Sequence, residues 1–338
     1  MPGHDIIVIG ASSGGIESLQ ALVAGLPRDL AASLFVVLHV PADGDSGLPR
    51  ILSHAGPLPA THAKDNEPVQ RGRIYVAPPD FHLLLRSGYV RIVRGPKENR
   101  HRPAIDPLFR TAARAYGPRV VGVVLSGMLD DGAAGLFAVK RRGGVAVVQD
   151  PADALFSDMP RSSMEVVDVD YCLKKGDIAP LLVRLSREEV KQKVGPVPDE
   201  MKKETEIEAM DMDTIENQDK PGTPSVYGCP DCGGILWELE EGELLRFRCR
   251  VGHAFGADGL VAAQSERLDD ALWSAFRALQ ENAALARRLA ARARENGHDS
   301  LAVSFDERAR SAEARSEVIH GLLTGEEGPP PLNKTKGS

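Results

Sequence analysis

Asp5-Ile6-Ile7-Val8-Ile9-Gly10-Ala11-Ser12-Ser13-Gly14-Gly15 opens the chain with a β-branched run that stops at a glycine-rich turn. An unbroken apolar run of this length, closed by glycine, is the signature of a strand buried on both faces and leading into a helix. Glycines let the chain turn sharply there and bring backbone amides close to whatever the turn holds. Ser12 and Ser13 are thereby presented at a helix N-terminus, where amide dipoles favour a developing negative charge.

Working outward, short apolar runs alternate with helical stretches from residue 5 to about residue 185. Strands are expected at Asp5 to Ile9, Leu34 to Val40, Arg73 to Ala77, Tyr89 to Arg94, Val120 to Ser126 and Val145 to Gln149. Helices are expected at Gly14 to Ala24, Asp106 to Tyr116, Ala133 to Arg142, Pro160 to Val166 and Asp177 to Leu185. This is the α/β pattern of a doubly wound, mostly parallel sheet, and it predicts a first domain over residues 1–186.

The character of the chain then changes. Residues 187–224 include an acidic stretch from Asp199 to Asp219 and read as a flexible, solvated linker. A cysteine and histidine block follows at 225–257, then a helical hairpin at 258–325 and a disordered tail at 326–338. In the hairpin, Leu268, Leu272, Phe276, Leu279, Ala283, Ala286 and Leu289 form one apolar stripe that packs on its own chain or on a second copy. Asn296-Gly297 breaks the first helix, and Leu301 to Leu323 can return.

A 42% apolar content over 338 residues is enough for a real core, while a formal charge of -7 supplies no field for holding nucleic acid or an anionic membrane. The N-terminus lacks a basic region, and its apolar run is far shorter than a signal sequence requires. No stretch approaches the roughly 18 apolar residues of a membrane span. The expectation is a cytoplasmic protein without direct membrane insertion and without nucleic acid as partner.

In open parallel sheets, reactive groups gather at the carboxyl ends of the strands. Ser12 follows the first strand, His39 closes the second, and Asp130 and Asp131 lie just past Val120 to Ser126, so a serine, a histidine and an aspartate share one sheet edge. A serine hydroxyl is a weak nucleophile at neutral pH; it needs an imidazole to take its proton and a carboxylate to hold the imidazole. His39 and one of the two aspartates fit those roles. Singly, each has a plainer use: Ser12 and Asp131 as helix caps, His39 as a strand-end histidine. A dinucleotide-binding oxidoreductase is the rival on this fold, but the turn lacks the Gly-x-Gly-x-x-Gly spacing and His39 stands where a ribose-binding acid is expected.

The order and spacing of the motifs resemble the catalytic domain of the chemotaxis protein-glutamate methylesterases, the CheB type. The resemblance is carried by Ile7 to Gly15, Leu38-His39-Val40, Val76 to Leu83, His101-Arg102-Pro103-Ala104-Ile105-Asp106-Pro107-Leu108-Phe109, Leu125 to Ala133, and Gln149-Asp150 through Met159-Pro160. It implies hydrolysis of glutamate methyl esters on methyl-accepting chemoreceptors, with deamidation of receptor glutamines as a second activity. It implies Ser12 as nucleophile, His39 as base and Asp131 as the orienting carboxylate, with Met128 as oxyanion donor and Ser13 in support. His101 and Arg102 are taken as substrate-binding positions, and no cofactor is expected for catalysis. The alternative is a non-catalytic signalling scaffold that uses the fold and the cysteine block for binding. The family's best-known members carry an N-terminal receiver domain, whereas here the catalytic pattern begins within the first ten residues. Leu129 stands where a glycine is common, and Val40 where methionine is usual.

Cys229, Cys232, Cys249 and His253 form two ligand pairs separated by a stretch that reads as a hairpin. Paired Cys-x-x-Cys spacing with a second Cys and His fits a tetrahedral zinc ribbon. Four protein ligands leave no open position, so the zinc is expected to be structural. Cys172 reads as core. Arg246, Arg248 and Arg250 alternate on one strand as a small basic strip, the one feature of a nucleic-acid module here.

Overall fold

The computed structural model describes residues 3–44, 46–190, 195–210, 222–241 and 244–325. Contacts divide the chain into two units, Met1–Val261 and Ala262–Ser338. The first unit begins with β1 (Ile6–Ala11), α1 (Gly15–Ala24), β2 (Ser33–Leu38), α2 (Leu48–Ala55), β3 (Ala60–His62), β4 (Ile74–Val76), β5 (His82–Arg86) and β6 (Tyr89–Val93). It continues with α3 (Ile105–Tyr116), β7 (Val120–Val124), α4 (Ala133–Arg141), β8 (Val145–Gln149), α5 (Asp158–Val166), β9 (Tyr171–Leu173) and α6 (Lys175–Arg187).

Among the described residues seven strands form one sheet in the order β3-β4-β2-β1-β7-β8-β9, every ladder parallel. Alternation along β1 feeds two cores. Ile7 and Ile9 pack with Leu19 and Leu22 of α1, Leu52 of α2 and Leu182 of α6. Ile6 and Val8 pack with Phe109 of α3, Leu136 of α4 and Met159 of α5. Burial on both faces is why this strand reads as a continuous apolar run. Each such side chain contributes roughly 1.5 to 3 kcal/mol, so a register slip is strongly disfavoured. Strand order departs in opposite directions from β1, towards β2 on one side and β7 on the other, and the crevice of the switch point opens at the ends of these three strands.

Several elements differ from the sequence expectation. Tyr89 to Val93 pairs with β5 in a separate antiparallel hairpin rather than joining the parallel sheet. The helix α2 and the three-residue strands β3 and β9 were not anticipated, since so short a strand carries no readable period. Cys172 is exposed on the edge strand β9, not core.

The expected linker is in part a folded element. Residues Asp199–Glu208 form the helix α7, and Met201, Glu204, Thr205, Ile207 and Glu208 on it are buried. Four strands follow, β10 (Thr223–Gly228), β11 (Ile235–Glu241), β12 (Leu244–Cys249) and β13 (Ala254–Gly256), in an antiparallel sheet. Between this ribbon and α3 lies a buried, charge-balanced cluster of three arginines and three glutamates. Arg110 of α3 binds Glu98 at 2.7 Å, Glu204 at 3.3 Å, and also Glu208. Arg246 of β12 reaches Glu98 at 3.1 Å and Glu204 at 3.0 Å, and Arg248 binds Glu204 at 3.0 Å. Arg246 and Arg248 are therefore internal ion-pair partners, not the exposed basic strip the sequence suggested. Burial penalises the Glu204 carboxylate, but Arg110, Arg246 and Arg248 outweigh it and hold its pKa below the usual range.

α8 (Ala257–Glu295) starts in the first unit, and from Ala262 onward it belongs to the second, with α9 (Asp299–Thr324). A turn at Gly297, φ 74°, reverses the chain. The buried seam is small: Ala283, Ala286, Ala290 and Ala293 on α8, and Ala302, Ala309, Ala312 and Ser316 on α9. Leu268 and Leu289, read from the sequence as part of the packed stripe, are exposed, and the buried seam is made by alanines instead. Residues 211–221 of the expected linker and the tail 326–338 lie outside the described residues.

Candidate active site

Ser12 sits one residue beyond β1, on a turn braced from β7. Its amide donates to the Ser126 carbonyl at 3.0 Å, and the Ser126 hydroxyl donates to the Ser13 carbonyl at 2.8 Å. Gly14 follows with φ 71°, a left-handed conformation that costs a side-chain-bearing residue about 1 to 2 kcal/mol. Gly127 is required for a different reason: a Cβ there would stand 2.0 Å from Met159 Sδ and 2.9 Å from Ser12 Cβ. The loop after β7 can approach the serine only without a side chain at that position.

His39, just past β2, bridges the other two groups. Its Nδ1 lies 3.1 Å from Ser12 Oγ and its Nε2 lies 2.7 Å from Asp131 Oδ2. The carboxylate cannot donate when ionised, so Nε2 carries the proton towards Asp131 and Nδ1 accepts from the serine hydroxyl. Asp131, rather than its neighbour Asp130, faces the histidine. Its Oδ2 also accepts from the Ile105 amide at 2.7 Å, and its Oδ1 from Asn99 Nδ2 at 3.0 Å and the Asp106 amide at 3.2 Å. Burial opposes its charge, yet the hydrogen bond and charge of His39, the Ile105 amide and Asn99 prevail, and its pKa falls below the ordinary carboxylate range. Asp106 beside it moves the other way, pushed up by burial and by the charge of Asp131.

Asp130 has another task. Its Oδ1 accepts from the Gly259 amide at 3.2 Å, in the first turn of α8, and a Cβ on Gly256 would stand 2.0 Å from its Oδ2. Burial, then the charges of Asp258 and Asp131, raise its pKa to about 6.

Ser12, Ser13 and His39 open into a cleft of about 410 Å³ together with Val40, Asp80, Lys97, Arg100, His101 and Arg102. His101 stacks on His39, ring centroids 3.6 Å apart and 11° from parallel. Arg102 lines the cleft, but its guanidinium is held by Asp80 Oδ1 at 2.8 and 2.5 Å and by the Gly95 carbonyl at 2.7 Å. Met128 is exposed, and its backbone N–H has no acceptor among the described residues. Leu129 next to it has φ 63°. Sequence reasoning missed Asn99, Asp80 and Ser126; Asp80 and Ser126 lay inside motifs of the resemblance and Asn99 did not, and none has a local signal for its contacts.

In the ribbon, the four candidate ligand atoms of Cys229, Cys232, Cys249 and His253 lie within 4.8 Å of one another. Cys232 Sγ is 3.7 Å from Cys249 Sγ, which in turn is 3.5 Å from His253 Nδ1. Tetrahedral zinc with Zn–S bonds of about 2.3 Å separates its sulfurs by about 3.8 Å, so the residues present fit that ion.

A doubly wound parallel sheet with serine, histidine and aspartate converging at its switch point defines an α/β protein of the serine-hydrolase type. The chain belongs to the CheB methylesterase family, whose pattern matches residues 7–182. A putative protein-glutamate methylesterase/protein-glutamine glutaminase from Leptospira interrogans is 38% identical over 191 residues, which is 56% of this chain and 99% of that protein. Protein-glutamate methylesterase/protein-glutamine glutaminase 2 of Anaeromyxobacter dehalogenans is 40% identical over 184 residues, 54% of this chain and 54% of that one. The crystal structure of the Thermotoga maritima CheB methylesterase catalytic domain superposes with a TM-score of 0.52 at 34% identity, covering 54% of this chain and 98% of that domain.

Proposed function

We propose that the chain is a serine esterase that hydrolyses glutamate methyl esters on a methyl-accepting chemoreceptor or related sensory receptor, releasing glutamate and methanol, and that it also deamidates receptor glutamines. The observation that carries this reading is the continuous hydrogen-bonded line Ser12–His39–Asp131 at the mouth of a cleft. Ser12 Oγ attacks the ester carbonyl while His39 Nδ1 takes its proton. The ion pair with Asp131 stabilises the imidazolium, and His39 then gives the proton to the leaving methanol. Water attacks the acyl-enzyme by the same route and frees Ser12. The Met128 amide is the oxyanion donor in this scheme, supported by its having no acceptor among the described residues. For a glutamine the leaving group is ammonia.

Lys97 and Arg100 around the cleft suit an acidic, glutamate-rich partner, His101 lines it as a neutral ring, and Arg102 acts by holding Asp80 in place. Cys229, Cys232, Cys249 and His253 hold a structural zinc in this reading, which would cross-link the two turns of the ribbon. The exposed Leu268, Trp273 and Leu285 support self-association through the C-terminal helices. A cytoplasmic location goes with this role; among the described residues no helix is long and apolar enough to cross a membrane. The test is methanol release from a methylated receptor fragment by the native chain and by Ser12→Ala. Release by the native chain alone is expected, and equal release from both would sink the reading. Zinc well below one per chain in folded protein purified without added metal would overturn the metal assignment.

A further inference from the structure

A buried side chain links the ribbon to the esterase site. Asn99 takes part in both: its amide N–H donates to the Ala254 carbonyl of β13 at 2.8 Å, and its Oδ1 accepts from the Gly256 amide at 2.7 Å. On the other side, its Nδ2 donates to Asp131 Oδ1 and to Asp106 Oδ2, both at 3.0 Å. Every polar atom of the carboxamide is thus engaged, with the oxygen fixed by the ribbon and the nitrogen fixing the two carboxylates. Asn99 is buried, and its φ of 49° is one that asparagine tolerates better than most residues.

The ribbon end of this link is held on both sides. Cys249 and His253 close the turn between β12 and β13, with Cys249 N donating to the His253 carbonyl at 2.9 Å immediately before Ala254. Glu98, adjacent to Asn99, is locked to Arg110, Arg246 and Arg248. Separating the ribbon would strand buried charges on both partners, at a cost of several kcal/mol per unpaired ion.

We propose that Asn99 is a positioning residue through which the ribbon holds Asp131 in line with His39, so that the integrity of the cysteine–histidine knuckle is coupled to the esterase site. The inference rests on the esterase reading above. Asn99 does not touch substrate; it removes the rotational freedom of Asp131 about its side-chain bonds and separates the two neighbouring carboxylates. Loss of such a supporting hydrogen bond costs on the order of 10- to 100-fold in rate.

The experiment is a double-mutant cycle on the full chain between Asn99→Gly and Cys232→Ser. Glycine keeps the left-handed backbone while deleting the carboxamide, and Cys232 is an exposed knuckle residue whose loss leaves the buried Cys249 in place. Asn99→Ser serves as a second variant should the glycine variant not fold. Two quantities are read: kcat and KM for p-nitrophenyl acetate, and the downfield proton resonance of the His39 Nε2–H bonded to Asp131, identified by its loss in Asp131→Ala. Asn99→Gly is expected to lower kcat by about 10- to 100-fold with KM little changed, Cys232→Ser to lower it several-fold, and the double variant to match Asn99→Gly alone. The resonance should shift or broaden in both single variants. Losses that multiply, or an unchanged kcat and resonance in Cys232→Ser, overturn the coupling. A native chain without Ser12-dependent turnover sinks the esterase reading instead, and the resonance still decides the coupling.

Discussion

The imidazoles of His39 and His101 lie face to face, 3.6 Å apart and nearly parallel. Burial, and then the charge of His39, lower the His101 pKa to about 3, so a neutral ring forms one wall of the proposed base at any pH where the enzyme would work. A flat wall limits ring rotation of His39, which would otherwise swap the nitrogens facing Ser12 and Asp131. His101→Ala should therefore lower kcat by roughly tenfold, on the scale of a misplaced catalytic group, while His101→Phe keeps most of it. Steady-state kinetics on an activated ester reads this, and equal losses in both variants would refute the wall.

The same residue sets a pH dependence of stability. Its folded pKa lies below the unfolded value, so the unfolded state binds the extra proton. Stability is fully present above the unfolded pKa near 6.5 and is lost as pH falls from there towards about 3. Native chain should show a falling urea midpoint over that window, and His101→Phe a smaller fall.

Asp130 carries the opposite sign. Burial and the charges of Asp258 and Asp131 raise its pKa to about 6, so the stability it allows is fully present below the unfolded pKa near 4 and is lost as pH rises from there through about 6. Asp130→Asn keeps an oxygen for the Gly259 amide and removes the repulsion. It should stabilise the chain by on the order of 1 to 3 kcal/mol at pH 7, with the gain vanishing near pH 4, as measured by urea unfolding at the two pH values.

The buried ion cluster makes a strong stability prediction. Arg110→Met removes the cation nearest to Glu98 and Glu208, leaves three buried carboxylates against two arginines, and should cost about 3 to 5 kcal/mol by denaturant unfolding. Lys202→Ala, which breaks the exposed pair with Asp199, should leave the unfolding midpoint where it is. A small loss in Arg110→Met would mean that the cluster is open to solvent.

Leu129 holds a left-handed backbone, φ 63°, beside the proposed oxyanion amide of Met128. Leu129→Gly should stabilise the chain by about 1 kcal/mol or less, since relief of strain is offset by the greater freedom of glycine when unfolded. Thermal unfolding reads the outcome, and a clear loss of stability would show that the leucine side chain packs usefully.

The sequence by itself determined the central strand, the turn that presents Ser12 and the sheet edge shared with His39. These follow from short-range rules: unbroken apolar runs form doubly buried strands, and parallel connections bring all strand ends to one side. Motif spacing likewise pointed to the family, and the cysteine pairs to a metal-binding ribbon. Residues alone could not separate Asp130 from Asp131, because adjacent positions share the same pattern; backbone geometry after β7 turned Asp131 to His39 and left Asp130 to cap α8. The acidic run after residue 199 was unreadable for a related reason. Glutamates at helical spacing look solvated until their partners are known, and those partners, Arg110, Arg246 and Arg248, come from distant parts of the chain. Only tertiary structure brings such charges together, because burying them is favourable only when all of them meet at once. Asn99 belongs to the same class, an ordinary loop residue in sequence whose four hydrogen bonds join the ribbon to the carboxylate behind His39.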